Sequence, residues 1–376
     1  MADRVPATAP AVLANDFRAQ WEEIGDDVLA AVERVGRSGW LVLGSEVERF
    51  EAELAAWWGV PHAVGVASGL DAIEIALRCA GIGPGDRVLT TPLTAFATTL
   101  AIMRAGAEPV WSDVDESGSL DLGLAAEALA SDATIRAVVP VHLYGHPLAP
   151  DALRALASEH GAVVIEDCAQ SAGAERDGRP TGTVGRAAAT SLYPTKNLGA
   201  MGDGGLLLTA DEELAAHARS LRNYGQDRRY HHVEAGLNSR LDELQAAILR
   251  TAQLPRLDRW LARRAEIAAR YAAALGDGPL RPIAASGGRS AHHLFPVEVL
   301  DGDVAGWSER FRDAGVAVGR HYPFLCPEMP ACEGIGVTVG ELPVARRLAR
   351  RELSLPLHPQ LDDASVERVI AACLPR

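Results

Sequence analysis

The sequence predicts an α/β fold: a mainly parallel central sheet between helices, with a smaller α+β domain toward the C-terminal end. Three observations carry this expectation. Short apolar runs alternate with helical stretches through the first half of the chain. The runs are continuous rather than period-two, as in strands covered on both faces. Polar residues gather just after the runs, where open parallel sheets hold their ligands.

In chain order, the opening to about residue 15 reads as flexible, and residues 16–35 place Trp21, Ile24, Val28 and Val32 at helical spacing. A turn at Leu43-Gly44-Ser45 follows, and Ser45 with Glu48 reads as a capping box for a helix running to about Trp58. Residues 63–67 form a short buried strand ending in Ser68-Gly69-Leu70-Asp71, from which a helix continues through Leu77. Such a strand–turn–helix aims free N–H groups and a helix dipole at one spot, which suits phosphate, although purely structural turns look the same. Further strands are expected at 87–91, 108–111, 136–141 and 162–165, with Phe96, His142, Asp167 and Gln170 in the loops after them. Leu241, Leu244 and Ile248 mark a later helix, broken at Pro255 before an amphipathic stretch with Leu257 and Leu261. The domain boundary is placed there: residues 1–255 form the large domain and 256–376 the small one, with a strand at 294–299 and a short last helix.

The net charge of −14 argues against a nucleic-acid partner, which needs a basic face, so an anionic ligand must be met by local cations and helix N-termini. No apolar run approaches the roughly 20 residues that span a bilayer. Residues 5–14 contain two prolines and no basic lead-in, so no leader peptide is expected. The five cysteines are scattered without a C-x-x-C pair, which fits reduced thiols and a cytoplasmic location. The eleven histidines show no metal-ligand spacing, and no metal is expected.

Lys196 is the only lysine among 36 basic lysine and arginine residues. In a chain that uses arginine wherever a positive charge suffices, the retained lysine points to chemistry only a primary amine can do: losing its proton and adding to a carbonyl. The same lysine could also be a chance survivor on the surface.

Several stretches around it form a larger pattern: ASGLDAI at 67–73, TPLTAFATT at 91–99, VVIEDCAQSAGA at 163–174, TSLYPTKNLGAMGDGG at 190–205, RNYGQDRRYHHVEAGLNSRLDELQAAIL at 222–249, HYP at 321–323 and LSLPLHP at 353–359. Together they resemble the DegT/DnrJ/EryC1/StrS family of pyridoxal-phosphate sugar aminotransferases over nearly the whole chain. The resemblance implies the aspartate-aminotransferase-like fold (fold type I) and pyridoxal 5'-phosphate as cofactor, alternating with pyridoxamine phosphate. It implies Lys196 as Schiff-base former and proton carrier, with an amine kept neutral by a low-dielectric site, and Asp167 as the carboxylate facing the ring nitrogen. Gln170 would contact the ring substituents, Phe96 would stack on the ring, and Ser191 with Gly69, Leu70 and Asp71 would hold the phosphate. Leu70 stands where many members have threonine, which removes one hydroxyl contact. Asn238 would reach the phosphate of a neighbouring subunit, which implies an obligate homodimer with shared sites.

Tyr224, Arg228, Arg229, Tyr230, His232 and His321 are the candidate substrate contacts; His231-His232 also reads as a surface pair, and His321 as a structural histidine. The implied reaction moves an amino group from glutamate, leaving 2-oxoglutarate, to a keto group of a nucleotide-linked deoxysugar, with dTDP the expected carrier. The LYPTKNLGAMGDGG form of the lysine block resembles members acting at C3; C4 sugar and keto-cyclitol aminotransferases are the alternatives. Relatives that dehydrate sugars carry histidine in place of the lysine. A regulatory or structural protein that binds the same cofactor is the non-enzyme alternative.

Overall fold

The computed structural model describes residues 11–374. Its centre is an eight-stranded sheet whose strands run, across the sheet, His62–Val66, Gly205–Thr209, Ala187–Ser191, Val163–Asp167, Ile135–Val139, Arg87–Thr90, Glu108–Trp111 and Val337–Thr338. All of these pair in parallel except Gly205–Thr209, which is antiparallel to both of its neighbours. Parallel neighbours need crossovers, and the helices Gly69–Cys79, Phe96–Arg104, Leu122–Ser131 and Pro150–His160 supply them. The expected strands are present within one or two residues, because both-face burial makes each a continuous apolar run. One face packs Val64, Ile73, Leu77, Val139, Ile165 and Leu207 into a core; another packs Phe50, Leu54, Leu192, Leu206 and Leu249.

Around the expected boundary at 255 the chain stays helical. Helix Glu243–Ile248 passes through a π-helical turn, Leu249–Gln253, and a short 3-10 turn, Leu254–Arg256, into helix Leu257–Leu275. Pro255 sits in the 3-10 turn, where its missing N–H interrupts the α ladder. Beyond it, Leu280–Pro282, Phe295–Val299 and Glu352–Leu355 form a three-stranded antiparallel sheet over a separate core of Ile267, Tyr271, Phe311, Leu353 and Val366. Several segments cross this division. Val337–Thr338 extends the large sheet beside Glu108–Trp111. Val12 pairs with Val316 and is buried in the small core.

Two local expectations are corrected. The opening segment was expected to be flexible; residues 1–10 lie outside the described residues, but Val12 is fixed by Val12 N–H to Gly315 C=O (2.9 Å) and Ala317 N–H to Val12 C=O (2.9 Å). Helix Phe17–Ser38 then starts on Asp16, whose carboxylate accepts from the N–H groups of Arg18 and Ala19. The capping box at Ser45 does not form. Gly44 is the cap residue of helix Ser45–Trp58, and the Glu243 carboxylate accepts from the N–H groups of Gly44 (2.8 Å), Glu46 (3.0 Å) and Val47 (2.9 Å). An ionised acceptor from a packed helix outcompetes a local Ser–Glu pair, because it satisfies three helix-start donors in a buried setting.

Candidate active site

The site grows from a row across the sheet. Gly205 pairs with Val66 on one side and Ser191 on the other. Helix Gly69–Cys79 begins directly above this row: a Cβ on Gly205 would lie 2.3 Å from the Ser68 carbonyl, and one on Gly69 would lie 2.8 Å from Ser191 Cβ. Glycine at both positions is what lets the helix start approach the strand ends. Ser68 caps the helix through the Asp71 N–H (3.1 Å). That engages one of the three amides expected to meet a phosphate. Asp71 also turns its carboxylate to Ser239 Oγ (2.7 Å) and Arg104 (3.1 Å). The N–H groups of Gly69 and Leu70 remain as first-turn donors without intrahelical acceptors, beside the Ser191 hydroxyl.

Asp167 ends strand Val163–Asp167, and adjacent Glu166 belongs to a separate structural clasp. Glu166 accepts from the N–H groups of Gly182, Val184 and Gly185, all within 2.9 Å, and pairs with His142 Nε2 at 2.9 Å. Leu148 N–H donates to His142 Nδ1, so Nε2 is the protonated nitrogen and is directed to Glu166. His142, Glu166 and Cys168 lie close enough together to suggest a metal triad, but these hydrogen bonds already occupy the imidazole and both carboxylate oxygens.

Asp167 itself accepts from Thr98 Oγ1 (2.8 Å) and the Ala169 N–H (3.0 Å). No basic side chain hydrogen-bonds to it among the described residues, and burial pushes its carboxyl up against the pull of those two donors. A buried carboxylate in that position calls for a cationic partner, which a protonated pyridine ring supplies. Thr98 stands one turn into helix Phe96–Arg104, so the helix that presents Phe96 also orients Asp167. Phe96 is half-buried and backed by Trp111, Cys326 and Cys332.

Lys196 sits in a tight loop after strand Ala187–Ser191. The loop closes through Lys196 N–H to Tyr193 C=O (2.8 Å) and Ala200 N–H to Leu192 C=O (2.7 Å), and Asn197 ties it down by donating to Ala291 C=O (2.9 Å). Burial pushes the amine down to about 8, partly offset by the charge of Asp167. This is the neutral-amine tuning expected from the sequence. The imidazoles near it are held neutral: burial, helped by the Lys196 charge, brings His321 down to about 4 and His293 well below its ordinary range. Gln170 bridges two segments, accepting from Tyr144 N–H (2.6 Å) and donating to Tyr322 Oη (3.1 Å). A cavity of about 250 Å³ opens beside the amine, lined by Asn15, Thr195, Lys196, His321, Tyr322 and Ser354.

The family model described as the DegT/DnrJ/EryC1/StrS aminotransferase family matches residues 22–374. The chain belongs to that family. The dTDP-3-amino-3,4,6-trideoxy-alpha-D-glucose transaminase of Streptomyces venezuelae is 44% identical over 369 residues, covering 97% of this chain and 96% of that protein. A protein named pleiotropic regulatory protein, from Geobacillus stearothermophilus, is 39% identical over 359 residues, covering 94% of this chain and 95% of its own length. The structure of S. venezuelae DesV in complex with a ketimine intermediate superposes with a TM-score of 0.92 at 42% identity, covering 97% of this chain and 98% of that one. As a member of this family the protein is a pyridoxal-phosphate-dependent transaminase of the aspartate-aminotransferase-like fold.

The residues named from the family pattern fall into three places. Lys196, Asp167, Gln170, Phe96, Ser191 and the start of helix Gly69–Cys79 gather at the C-terminal strand ends. His321 lines the cavity beside Lys196. Tyr224, Arg228, Arg229, Tyr230 and His232 instead cluster on and beside the hairpin of Gln226–Arg228 and His231–His232, with Tyr230 80% exposed. None of these five lines the Lys196 cavity, and Asn238 is exposed near the same hairpin. Thr98, Tyr322 and Asn15 were missed. Thr98 carried a signal, standing two residues after Phe96 at the start of a helix; Asn15 carried none.

Proposed function

We propose that this protein transfers the amino group of glutamate to the C3 keto carbon of a dTDP-linked deoxysugar, in the cytoplasm, as a homodimer whose sites are shared. The observation that carries this reading is a lysine amine brought down by burial beside a buried carboxylate to which no basic side chain hydrogen-bonds among the described residues. Bound pyridoxal phosphate supplies an electron sink and a carrier for the amino group. Lys196 holds the cofactor and moves a proton at the substrate carbon, since an amine brought down to about 8 has an accessible neutral form near neutrality. Asp167 holds the ring-nitrogen proton, with Thr98 and the Ala169 N–H fixing the carboxylate plane. Gly69, Leu70 and Ser191 would hold the phosphate, Phe96 would stack on the ring, and Gln170, bonded to Tyr322, would contact the ring substituents. The cavity beside Lys196 receives the sugar and, in the other half-reaction, glutamate.

C3 is supported over C4 by the Streptomyces venezuelae transaminase named for a 3-amino sugar. Asn238 and the Tyr224–His232 hairpin complete the site of the neighbouring subunit. Their exposure and their absence from this chain's own cavity support that assignment. The five free thiols support the cytoplasmic location. Among the described residues no helix is long and apolar enough to cross a membrane.

The test begins with the cofactor's absorbance. Glutamate should shift it and release 2-oxoglutarate; an unchanged spectrum ends the donor assignment. Single-turnover amination of a panel of keto-sugar nucleotides, with the amine located by NMR, should then give a C3 amine. A C4 amine would overturn the regiochemistry.

A further inference from the structure

His321 is held on three sides. Glu352 Oε2 accepts its backbone N–H at 2.6 Å, its carbonyl accepts from Tyr144 Oη at 2.6 Å, and its Nδ1 lies 2.9 Å from Ser354 Oγ. Ser354 also hydrogen-bonds to Glu352 Oε1, so carboxyl, hydroxyl and imidazole form one chain. The strand Glu352–Leu355 builds it by alternation: Leu353 and Leu355 enter the small core, while Glu352 and Ser354 share the opposite face. Gly319, bridged to Ser354 through both backbone bonds, clears room for the ring, since a Cβ there would lie 2.8 Å from His321 Cε1. Among the described residues Nε2 has no hydrogen-bond partner, and both His321 and Ser354 line the Lys196 cavity.

We propose that Glu352 and Ser354 are positioning residues that decide which ring nitrogen of His321 carries the proton, and so whether the cavity wall beside Lys196 offers a hydrogen-bond acceptor or a donor. With Glu352 ionised, its two oxygens accept from the His321 N–H and the Ser354 hydroxyl. Ser354 Oγ, having donated its one proton, accepts Nδ1–H, and Nε2 presents a lone pair to a sugar hydroxyl. With Glu352 protonated on Oε1, that O–H is donated to Ser354 Oγ, the serine hydroxyl turns to donate to Nδ1, and the ring proton moves to Nε2. The one proton gained stays on Glu352; the imidazole remains neutral and changes only its tautomer.

The electrostatics of the site agree with this geometry. Burial pushes Glu352 up to about 7 against the pull of Ser354, the His321 N–H and Arg320, while His321, down at about 4, stays uncharged across that range. The other groups facing Glu352 are Tyr144 and Tyr322, both raised by burial, and Glu298, opposite it on strand Phe295–Val299 and paired with Arg281 and Arg347. The charge of Lys196 acts on the ring as well, lowering its pKa further. The functional consequence rests on the sugar occupying this cavity, as proposed above; the tautomer does not.

The experiment uses the full-length holoenzyme with ¹⁵N-labelled histidine, the His321 ring signals assigned by their loss in His321→Asn. In the wild type the protonated nitrogen should be Nδ1 at pH 8.5 and shift toward Nε2 by pH 6. In Glu352→Gln the side-chain carbonyl must accept the His321 N–H, leaving the amide NH₂ to donate to Ser354, so Nε2–H should persist at both pH values. That variant should melt no lower than wild type at pH 8.5, yet lose about tenfold in kcat/KM for the keto sugar. Ser354→Ala should abolish the pH dependence of the tautomer. The same tautomer in wild type and Glu352→Gln at pH 8.5 overturns the proposal. A shifted tautomer in a protein inert toward keto sugars would instead overturn the substrate reading and leave the relay standing.

Discussion

At the scale of single residues, Lys196 and Asp167 are each held in an environment that resists their charged form. For the lysine of the cofactor-free protein, the folded value near 8 lies below the ordinary 10.5. Below pH 8 the fold bears the full cost of burying the ammonium. Between about 8 and 10.5 the unfolded chain binds the extra proton, so stability rises with pH through that window. Urea midpoints of the cofactor-free wild type should therefore gain on those of Lys196→Met from pH 7.5 to 10, and parallel curves would contradict the buried-amine reading. Asp167→Asn keeps the volume and the Thr98 contact but removes the charge. Turnover should fall about a hundredfold or more, the size of effect expected when an electrostatic partner of the reacting centre is lost. The cofactor-free fold should be no less stable, because the carboxylate was held against desolvation; a variant with near-normal turnover would remove Asp167 from the mechanism.

At the scale of elements, the strands and most helices were legible because each writes its own burial into local periodicity. Val163–Asp167 is a continuous apolar run that ends on an acid, and Phe17–Ser38 repeats its apolar residues at helical spacing. The start of helix Ser45–Trp58 was not legible, since its acceptor is Glu243 on another helix. Glu243→Ala should cost about 1–3 kcal/mol by stranding buried helix-start N–H groups, measured as a shift of the urea midpoint, whereas Ser45→Ala should cost under about 0.5 kcal/mol. The reverse ranking would restore the local capping box. The antiparallel strand Gly205–Thr209 was equally hidden: its apolar run shows burial, but direction depends on which neighbours it joins.

At the scale of the whole molecule, several large apolar side chains are exposed, among them Trp40 at 62%, Leu41 at 61%, Tyr193 at 51% and Phe324 at 67%. Their exposure supports the proposed homodimer. Mixing Lys196→Ala chains with Asn238→Asp chains should yield hybrid dimers with one intact shared site and recover up to about a quarter of wild-type activity, the share set by random pairing of two chains. Confirmed subunit exchange without recovery would place Asn238 outside the partner's site. Sedimentation should give the dimer mass, and Trp40→Arg should shift it toward the monomer.

The sequence by itself determined the chemistry and the layered fold. One lysine in an arginine-using chain, an acid at a strand end and glycines at a helix start are visible because each residue type answers a local chemical or conformational demand. Tertiary structure alone decided which groups tune them. Thr98 reaches Asp167, Tyr322 meets Gln170, and Glu352 with Ser354 grips His321 through contacts between segments tens to hundreds of residues apart. Such pairings are set by how buried surfaces pack and by the need to satisfy every polar group they enclose, and no local periodicity encodes that.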